Sequence, residues 1–427
     1  MPLGISPKLA LLTAPFMSVV TIAFVIFILG DLVWCWNACL ASRRFPRPWR
    51  MAARVAAIAF TAIQMIGFLL MIFSRQLDIP MESFYPKPAI AAVYIWHCLV
   101  LLPMAFLWFL AKVVGGLLWI ARKLARIARS KPAAEAPARV DTGMTRRDFV
   151  TAAACAAPAV LTLGVTGVSA IQWNEFRVRC LTIPIPNLPA PLDGLTIAQV
   201  SDLHVGVFTQ GAILDRIVEA SNQLQPDLVL LPGDLINYSL RDLPVGLAVV
   251  KRLQSRFGTF MCEGNHDLFE DPAGFRQGTA DAGVRLLVND TATFPVRGVP
   301  LQVLGLRWGW GGGDARATSN RGDAAIAHSM KGLMAQRKAD AFPILLAHHP
   351  HAFDYADDIP LTLAGHTHGG QIMLTKEIGF GPAMFRYWSG WYPQSGRSLV
   401  VSNGVGNWFP LRVQAPAEIV HITLRTV

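Results

Sequence analysis

Three long apolar runs, near Leu11–Trp34, Ala52–Phe73 and Ile90–Leu110, leave the N-terminal part of this chain few ways to fold in water. About 20 apolar residues in a helix cross the ~30 Å of hydrocarbon in a bilayer, and each run has that length. A fourth run, Phe149–Ile171, is richer in Ala and Gly. It reads either as a fourth span or as a signal-like segment that is removed. The whole chain is 53% hydrophobic and only 15% charged, which excludes disorder and argues against a soluble enzyme over its full length.

Charge is divided unevenly. Residues 1–148 hold 17 Lys and Arg against 6 Asp and Glu, and the remainder is nearly balanced at 21 against 22. The excess therefore sits among apolar runs and not on a polar surface, so no nucleic-acid partner is expected. Basic residues mark the cytoplasmic side of membrane proteins. Arg43, Arg44, Arg47, Arg50 and Arg54 follow the first run, and Arg122, Lys123, Arg126, Arg129, Lys131, Arg139, Arg146 and Arg147 follow the third. Between them, Arg75 and Lys87 are offset by Asp78 and Glu82. This pattern puts the first and third loops inside and everything beyond residue 172 outside.

Finer features refine that picture. Val113–Ser130 mixes Leu117, Trp119 and Ile120 with bases, which suits a helix lying on the cytoplasmic headgroups. Lys131–Thr142 reads as a linker. Thr145-Arg146-Arg147-Asp148-Phe149 resembles a twin-arginine export signal, and Val168-Ser169-Ala170 resembles a small-residue cleavage site. On the alternative reading, the arginines simply hold the cytoplasmic side. Asp31 and His97 lie toward predicted span ends and read as snorkelling to the interface. The spans carry no cluster of ionisable residues, which argues against a transporter. The expected organisation is 1–148 as a membrane region of three spans, interfacial helix and linker, 149–171 as fourth span or signal, and 172–427 as a polar domain. Six cysteines without a CxxC exclude cysteine-based zinc or redox sites.

In the polar part, strand-like runs alternate with helical patterns, which predicts an α/β layer fold. Strands are expected at Gly194–Val200, Asp227–Leu231, Thr259–Cys262, Val284–Val288, Ala292–Val296, Leu301–Leu306, Ile344–Ala347, Leu361–Ala364, Ser398–Val401 and Glu418–Leu424. Helices are expected at Ala212–Leu224 and Leu243–Leu253. Five of the strands stop abruptly in Asp, His or Asn: Ser201-Asp202-Leu203-His204, Gly233-Asp234, Gly264-Asn265-His266-Asp267, His348-His349-Pro350 and Gly365-His366-Thr367-His368. Carboxyl ends of strands in an α/β sheet converge on one crevice. There, Asp202, His204, Asp234, Asn265, His348, His366 and His368 would form one set of oxygen and nitrogen donors. Asp202/His204 and His366/His368 are i, i+2 pairs, and in extended backbone both members point the same way. Such a set without thiolates suits Mn, Fe, Zn or Co. Seven donors exceed one tetrahedral ion, whereas two ions sharing a carboxylate would use them all and leave room for water and substrate.

The ordered set DLH, GD, GNHD, HHP and GHTHGGQ resembles the calcineurin-like metallophosphoesterases, and most of all their membrane-associated, exported bacterial members. The resemblance runs from about Arg177 to Arg425, including Ser402–Gly406 and Pro416–Ile419. It implies a sandwich of two β-sheets flanked by helices, here preceded by an α-helical transmembrane region of about four spans. By position, Asp202, His204 and His368 would hold one divalent or mixed-valence ion and Asn265, His348 and His366 the other, with Asp234 bridging. A hydroxide between the ions would attack phosphorus in a phosphodiester or phosphomonoester, with His266 serving the leaving oxygen. Asp267 would either orient His266 or act as a buried structural carboxylate. Either imidazole of His348-His349 could be the ligand; His348 is favoured because it directly follows the strand. His351 reads as a surface residue.

Relatives often carry an acid soon after Leu306, where this chain has Arg307 and Trp308. Arg307 reads as a surface residue or as a phosphate clamp, and the glycines after Trp310 read as a flexible rim. Tyr387, Trp388, Trp391 and Tyr392 would line the site mouth, touch the bilayer or pack in the core. The expected partners are a lipid bilayer, a lipid- or envelope-linked phosphoester and the twin-arginine export machinery. The expected place is the bacterial inner membrane, with the catalytic domain extracytoplasmic. The competing reading is a membrane receptor or scaffold that keeps such a domain without catalysis.

Overall fold

The computed structural model describes residues 15–77, 79–128, 145–308 and 319–427, and the chain divides into two compact units, Met1–Val168 and Ser169–Val427. The expected linker Lys131–Thr142 and the glycine-rich stretch from residue 309 lie outside the described residues.

The first unit is helical. Its long elements are Pro15–Ala41, Arg47–Leu77, Leu102–Ala128 and Arg146–Gln172, and Lys87–Tyr94 runs through a π-helical turn, Ile95–Leu101, into the third of these. Among the described residues, four stretches are long and apolar enough to cross a membrane: Phe24–Arg44, Arg47–Ser74, Lys87–Ala125 and Asp148–Gln172. The segment expected as a headgroup helix from Val113 continues the helix Leu102–Ala128 without a break. Leu, Ala, Arg and Lys are strong helix formers and carry the helix past the Gly115-Gly116 pair. Thr145 caps the last helix, its hydroxyl accepting from the Asp148 backbone N–H at 3.1 Å.

Asp31 and His97 do not snorkel. Both are buried, and Nε2 of His97 lies 3.2 Å from Oδ2 of Asp31. The indole N–H of Trp96 donates to the other carboxylate oxygen at 2.6 Å, and Nδ1 of His97 meets the Val93 carbonyl at 2.9 Å. The two residues satisfy each other across 66 positions of sequence, so neither has to reach an interface.

The second unit holds two sheets. One has the order β1-β11-β2-β3-β4, from Arg177–Ile185 (β1), Thr196–Gln199 (β2), Leu228–Pro232 (β3), Thr259–Cys262 (β4) and Glu418–Thr426 (β11). The other has the order β5-β6-β7-β8-β10-β9, from Asp290–Val296 (β5), Val299–Gly305 (β6), Phe342–Leu346 (β7), Leu361–Ala364 (β8), Gly390–Gln394 (β9) and Arg397–Val401 (β10). Strands β2, β3 and β4 are parallel neighbours, as are β6, β7 and β8. Val284–Val288 is not a strand; it makes only a bridge from Leu286 to Met261.

Alternation along the central strands builds the layers. Leu228 and Leu230 of β3 join Ile344 and Leu346 of β7 in the core between the sheets. Val229 and Leu231 face Ile213, Ile217 and Leu247, under the helices Ala212–Gln223 and Leu243–Arg252. Leu345 faces outward with Ile326, Met330 and Leu333 of the helix Ser319–Met334. Strands buried on both faces read as continuous apolar runs, as these do. The result is helix, sheet, sheet, helix, with the ends of β2, β3, β4, β7 and β8 brought to one edge.

Candidate metal centre

At that edge the backbone turns sharply, and left-handed residues do the turning. Asp202, His204, Asp234, His366 and His368 have φ of 53°, 46°, 56°, 73° and 50°. The paired side chains thus converge from left-handed backbone and not from the extended backbone anticipated for them. Such a conformation costs about 1 kcal/mol or more for a residue with a side chain. Backbone bonds hold it in place: the Asp202 and His204 amides donate to the carbonyls of Gly233 and Asp234 at 3.1 and 3.0 Å. Glycine is required beside them. A Cβ on Gly233, at φ +86°, would meet Nδ1 of His348 at 2.6 Å.

Two groups of donors result, Asp202, His204, Asp234 and His368 in one, and Asp234, His348 and His366 in the other. In the first, Nε2 of His204 lies 3.0 Å from Nε2 of His368 and 3.5 Å from Oδ2 of Asp234. In the second, Nε2 of His348 lies 3.1 Å from the same Asp234 oxygen and 3.2 Å from Oδ1 of Asn265. Nδ1 of His366 lies 3.0 Å from that Asn265 oxygen. All seven side chains expected at the centre are therefore together, and Asp234 stands between the two groups.

Between the two candidate imidazoles, His348 points into the cluster. Its Nδ1 is fixed at 2.6 Å from the Pro232 carbonyl, which leaves Nε2 for Asp234. Nδ1 of His349 instead accepts from the His351 backbone N–H at 3.2 Å. His351 is half-buried against the His349 ring, not a surface residue.

Electrostatics favour cations here. Burial keeps His204, His366 and His368 well below their ordinary pKa, so the rings are neutral and offer lone pairs. Burial pushes Asp202 up to about 6. Burial would also raise Asp234, but His348 and His266 outweigh it and hold its carboxyl below the ordinary value. Burial would lower His348, yet Asp234 lifts it to about 9. Buried oxygen and nitrogen donors with no thiolate fit hard or borderline divalent cations.

Asp267 does not orient His266. Its Oδ2 accepts from the backbone N–H groups of Asp234 at 3.0 Å and Gly264 at 2.9 Å, and its Oδ1 from Ile236 at 3.1 Å. It is the buried structural carboxylate of the two alternatives, pinning two strand-end loops together. His266 is oriented by the Asn237 carbonyl, 2.6 Å from its Nδ1, and its backbone N–H donates to Oδ1 of Asp234 at 2.9 Å.

Several neighbours are unmarked by any motif. The Trp308 ring is buried against His348 and His366 at 5.3 and 5.0 Å, and Trp408 lies 6.0 Å from His266. Arg307 leans toward Glu263, 3.9 Å away. Arg412 is buried, and its Nη2 donates to Nδ1 of His368 at 3.1 Å. Tyr387 is core, packed with Phe353, Leu399 and Val401, and Tyr392 packs against that cluster.

Residues 195–370 match the family described as Calcineurin-like phosphoesterase. The chain is 30% identical over 281 residues to a "Transmembrane protein with metallophosphoesterase domain" of Danio rerio, covering 62% of each chain. It is 31% identical over 261 residues to an uncharacterised metallophosphoesterase of Campylobacter jejuni, covering 58% of this chain and 63% of that one. The "UDP-2,3-diacylglucosamine pyrophosphatase LpxG" of Chlamydia trachomatis is 25% identical over 303 residues, which cover 58% of this chain and 89% of that one. The chain spans less than two thirds of the first two relatives' own length. The second unit thus carries, over residues 195–370, a domain that matches the calcineurin-like phosphoesterases.

Proposed function

We propose that the chain is a membrane-anchored hydrolase of phosphoesters, with two cations in the centre. In this reading Asp202, His204 and His368 hold one ion and Asn265, His348 and His366 the other, and Asp234 serves both. The observation that carries it is the shared carboxylate oxygen, 3.5 Å from Nε2 of His204 and 3.1 Å from Nε2 of His348. Bound Mn, Fe, Zn or Co, as divalent or mixed-valence ions, would lower the pKa of water and neutralise phosphoryl oxygens.

The chain's own residues do the rest. The Asn237 carbonyl holds Nδ1 of His266, which leaves Nε2 to deliver a proton to the departing oxygen. Trp308 and Trp408 flank the imidazoles of His366 and His266. A diester or monoester on a lipid or envelope component is the proposed substrate. The LpxG relative, named for an acylated sugar nucleotide, supports it. The basic first and third loops support a multi-pass protein of the bacterial inner membrane with this unit extracytoplasmic. The Arg146-Arg147 start of the last helix supports delivery by the twin-arginine machinery.

The test is hydrolysis of bis(p-nitrophenyl) phosphate and p-nitrophenyl phosphate by the purified full chain with Mn. His266→Ala should lower turnover about 10²- to 10⁴-fold with metal content unchanged. A folded, metal-loaded parent that is inert toward both esters would overturn the reading.

A further inference from the structure

Directly after Gly369-Gly370 the chain forms a small hairpin. Met373 bridges Gly379, the Leu374 amide donates to the Ile378 carbonyl at 2.8 Å, and the Phe380 amide donates to the Ile372 carbonyl at 3.1 Å. Met373 is buried beneath it. The outer side is apolar and open: Leu374, Ile378, Phe380 and Met384 are 68, 58, 50 and 66% exposed. Among the described residues of the second unit, no other stretch exposes so many large apolar side chains so close together. A built hairpin that shows Leu, Ile, Phe and Met to water is a surface with a partner.

Two connections say which partner. On one side the segment leads to the centre, since Phe385 packs edge-on to His366 at 5.8 Å. On the other it is tied to residues 410–414. The Gln371 side-chain amide donates to the Leu411 carbonyl at 2.5 Å, the Met373 amide to Val413 at 2.9 Å, and the Gln414 side-chain amide to Leu374 at 2.8 Å. Residues 410–412 are in turn bonded to the last turn of the helix Arg146–Gln172. Ser169 Oγ and Trp173 Nε1 both donate to the Pro410 carbonyl, and the Arg412 amide donates to Oε1 of Gln172 at 3.1 Å. Asp148–Gln172 is one of the stretches able to cross a membrane. The apolar hairpin is thus two hydrogen-bonded steps from residues 169–173, with which the second unit begins where the last apolar helix ends.

We propose that Leu374–Met384 docks into the lipid surface on which the chain's own spans stand, so that the centre draws phosphoesters of membrane amphiphiles from the bilayer and not from solution. This rests on the phosphoesterase reading for its substrate, but not for the docking itself. Side chains of this kind enter the headgroup and acyl boundary, and affinity grows with the apolar area buried.

The test uses the full chain in nanodiscs of phosphatidylcholine doped with a lipid carrying a diazirine on its acyl chain. After illumination, adducts are expected on Leu374–Met384 as well as on the four helices. Joint replacement Leu374→Ser, Ile378→Ser, Phe380→Ser and Met384→Ser should remove the hairpin adducts. It should also lower the ratio of long-chain to water-soluble phosphodiester hydrolysis at least tenfold. A hairpin free of adducts, a cross-link from it to a second copy of the chain, or an unchanged ratio would overturn the proposal. If neither ester is cleaved by the parent while the hairpin adducts form, the docking stands and the phosphoesterase reading falls.

Discussion

The Arg412 guanidinium donates from Nη2 to Nδ1 of His368 at 3.1 Å. Its remaining hydrogens go to the carbonyls of Asn403, Ala415 and Gly406 and to the Asn407 side chain. Burial pushes its pKa down to about 10, so it stays charged at neutral pH. It knits the 403–415 loop and fixes the ring of a proposed ligand. Arg412→Ala strands several buried acceptors and should cost about 3 kcal/mol or more. Arg412→Lys keeps the charge without the planar fork and should recover part of that loss. Thermal unfolding measures the stability. Retained Mn per chain separates the two roles, since a purely structural arginine would leave metal occupancy of the still-folded Lys variant unchanged.

Asp267 gathers three backbone N–H groups from two loops. Asp267→Ala should destabilise the second unit by about 3 kcal/mol, because three buried donors lose their acceptor. Asp267→Asn keeps the shape but brings an amide that cannot accept all three. It should lose less stability, read by denaturant midpoint, and lower turnover because Asp234 is no longer fixed.

Chelation should lower the unfolding temperature of the second unit. Without cations, the centre leaves four imidazoles, three of them buried, and two buried carboxylates to one another. Each ion at a hundredfold excess over its dissociation constant adds about 2.7 kcal/mol. Calorimetry of chain treated with EDTA, before and after Mn is returned, reads the difference. An identical melting curve would deny the centre its cations.

Tyr387 predicts an alkaline limit. Burial and the Asp354 carboxylate, which accepts its O–H at 2.8 Å, push its pKa up to about 12. Unfolded tyrosine titrates near 10. Between those values the folded chain keeps a proton that the unfolded chain gives up, so stability falls as pH rises. After discounting for solvent screening, about 1 kcal/mol present below pH 10 should be gone by pH 12. Tyr387→Phe should lack that step in unfolding midpoints measured across the range.

In the first unit, Asp31→Ala should leave the Trp96 indole and His97 without their acceptor among apolar helices. A loss of about 1–2 kcal/mol is expected, seen as a lower unfolding midpoint in detergent by tryptophan fluorescence.

The centre was readable because parallel buried strands leave an apolar signature that ends at the reactive residue. Val229–Leu231 before Asp234 and Leu361–Ala364 before His366 are such signatures. Strand β1 left none. Its Arg-Val-Arg-Cys-Leu-Thr-Ile-Pro-Ile sequence is an edge strand, half exposed along its first residues. Asp31 and His97 misled for another reason: each is costly alone, and the partner that removes the cost is remote in sequence. Arg412 was equally hidden, since carbonyl groups carry no sequence signature. The role of Asp267 turned on where amide hydrogens point, which composition cannot specify.

The first sheet carries a last consequence. Strand β11 lies between β1 and β2, pairing β1 in parallel over nine residues, while Glu418 gathers both Arg177 and Arg179. The sheet is therefore interrupted until β11 has been synthesised and inserted. A chain cut short of residue 418 would present two raw strand edges to its surroundings. This unit should thus complete itself only once residues 418–426 have been made, and termination before them should yield aggregation-prone material rather than a partly formed sheet.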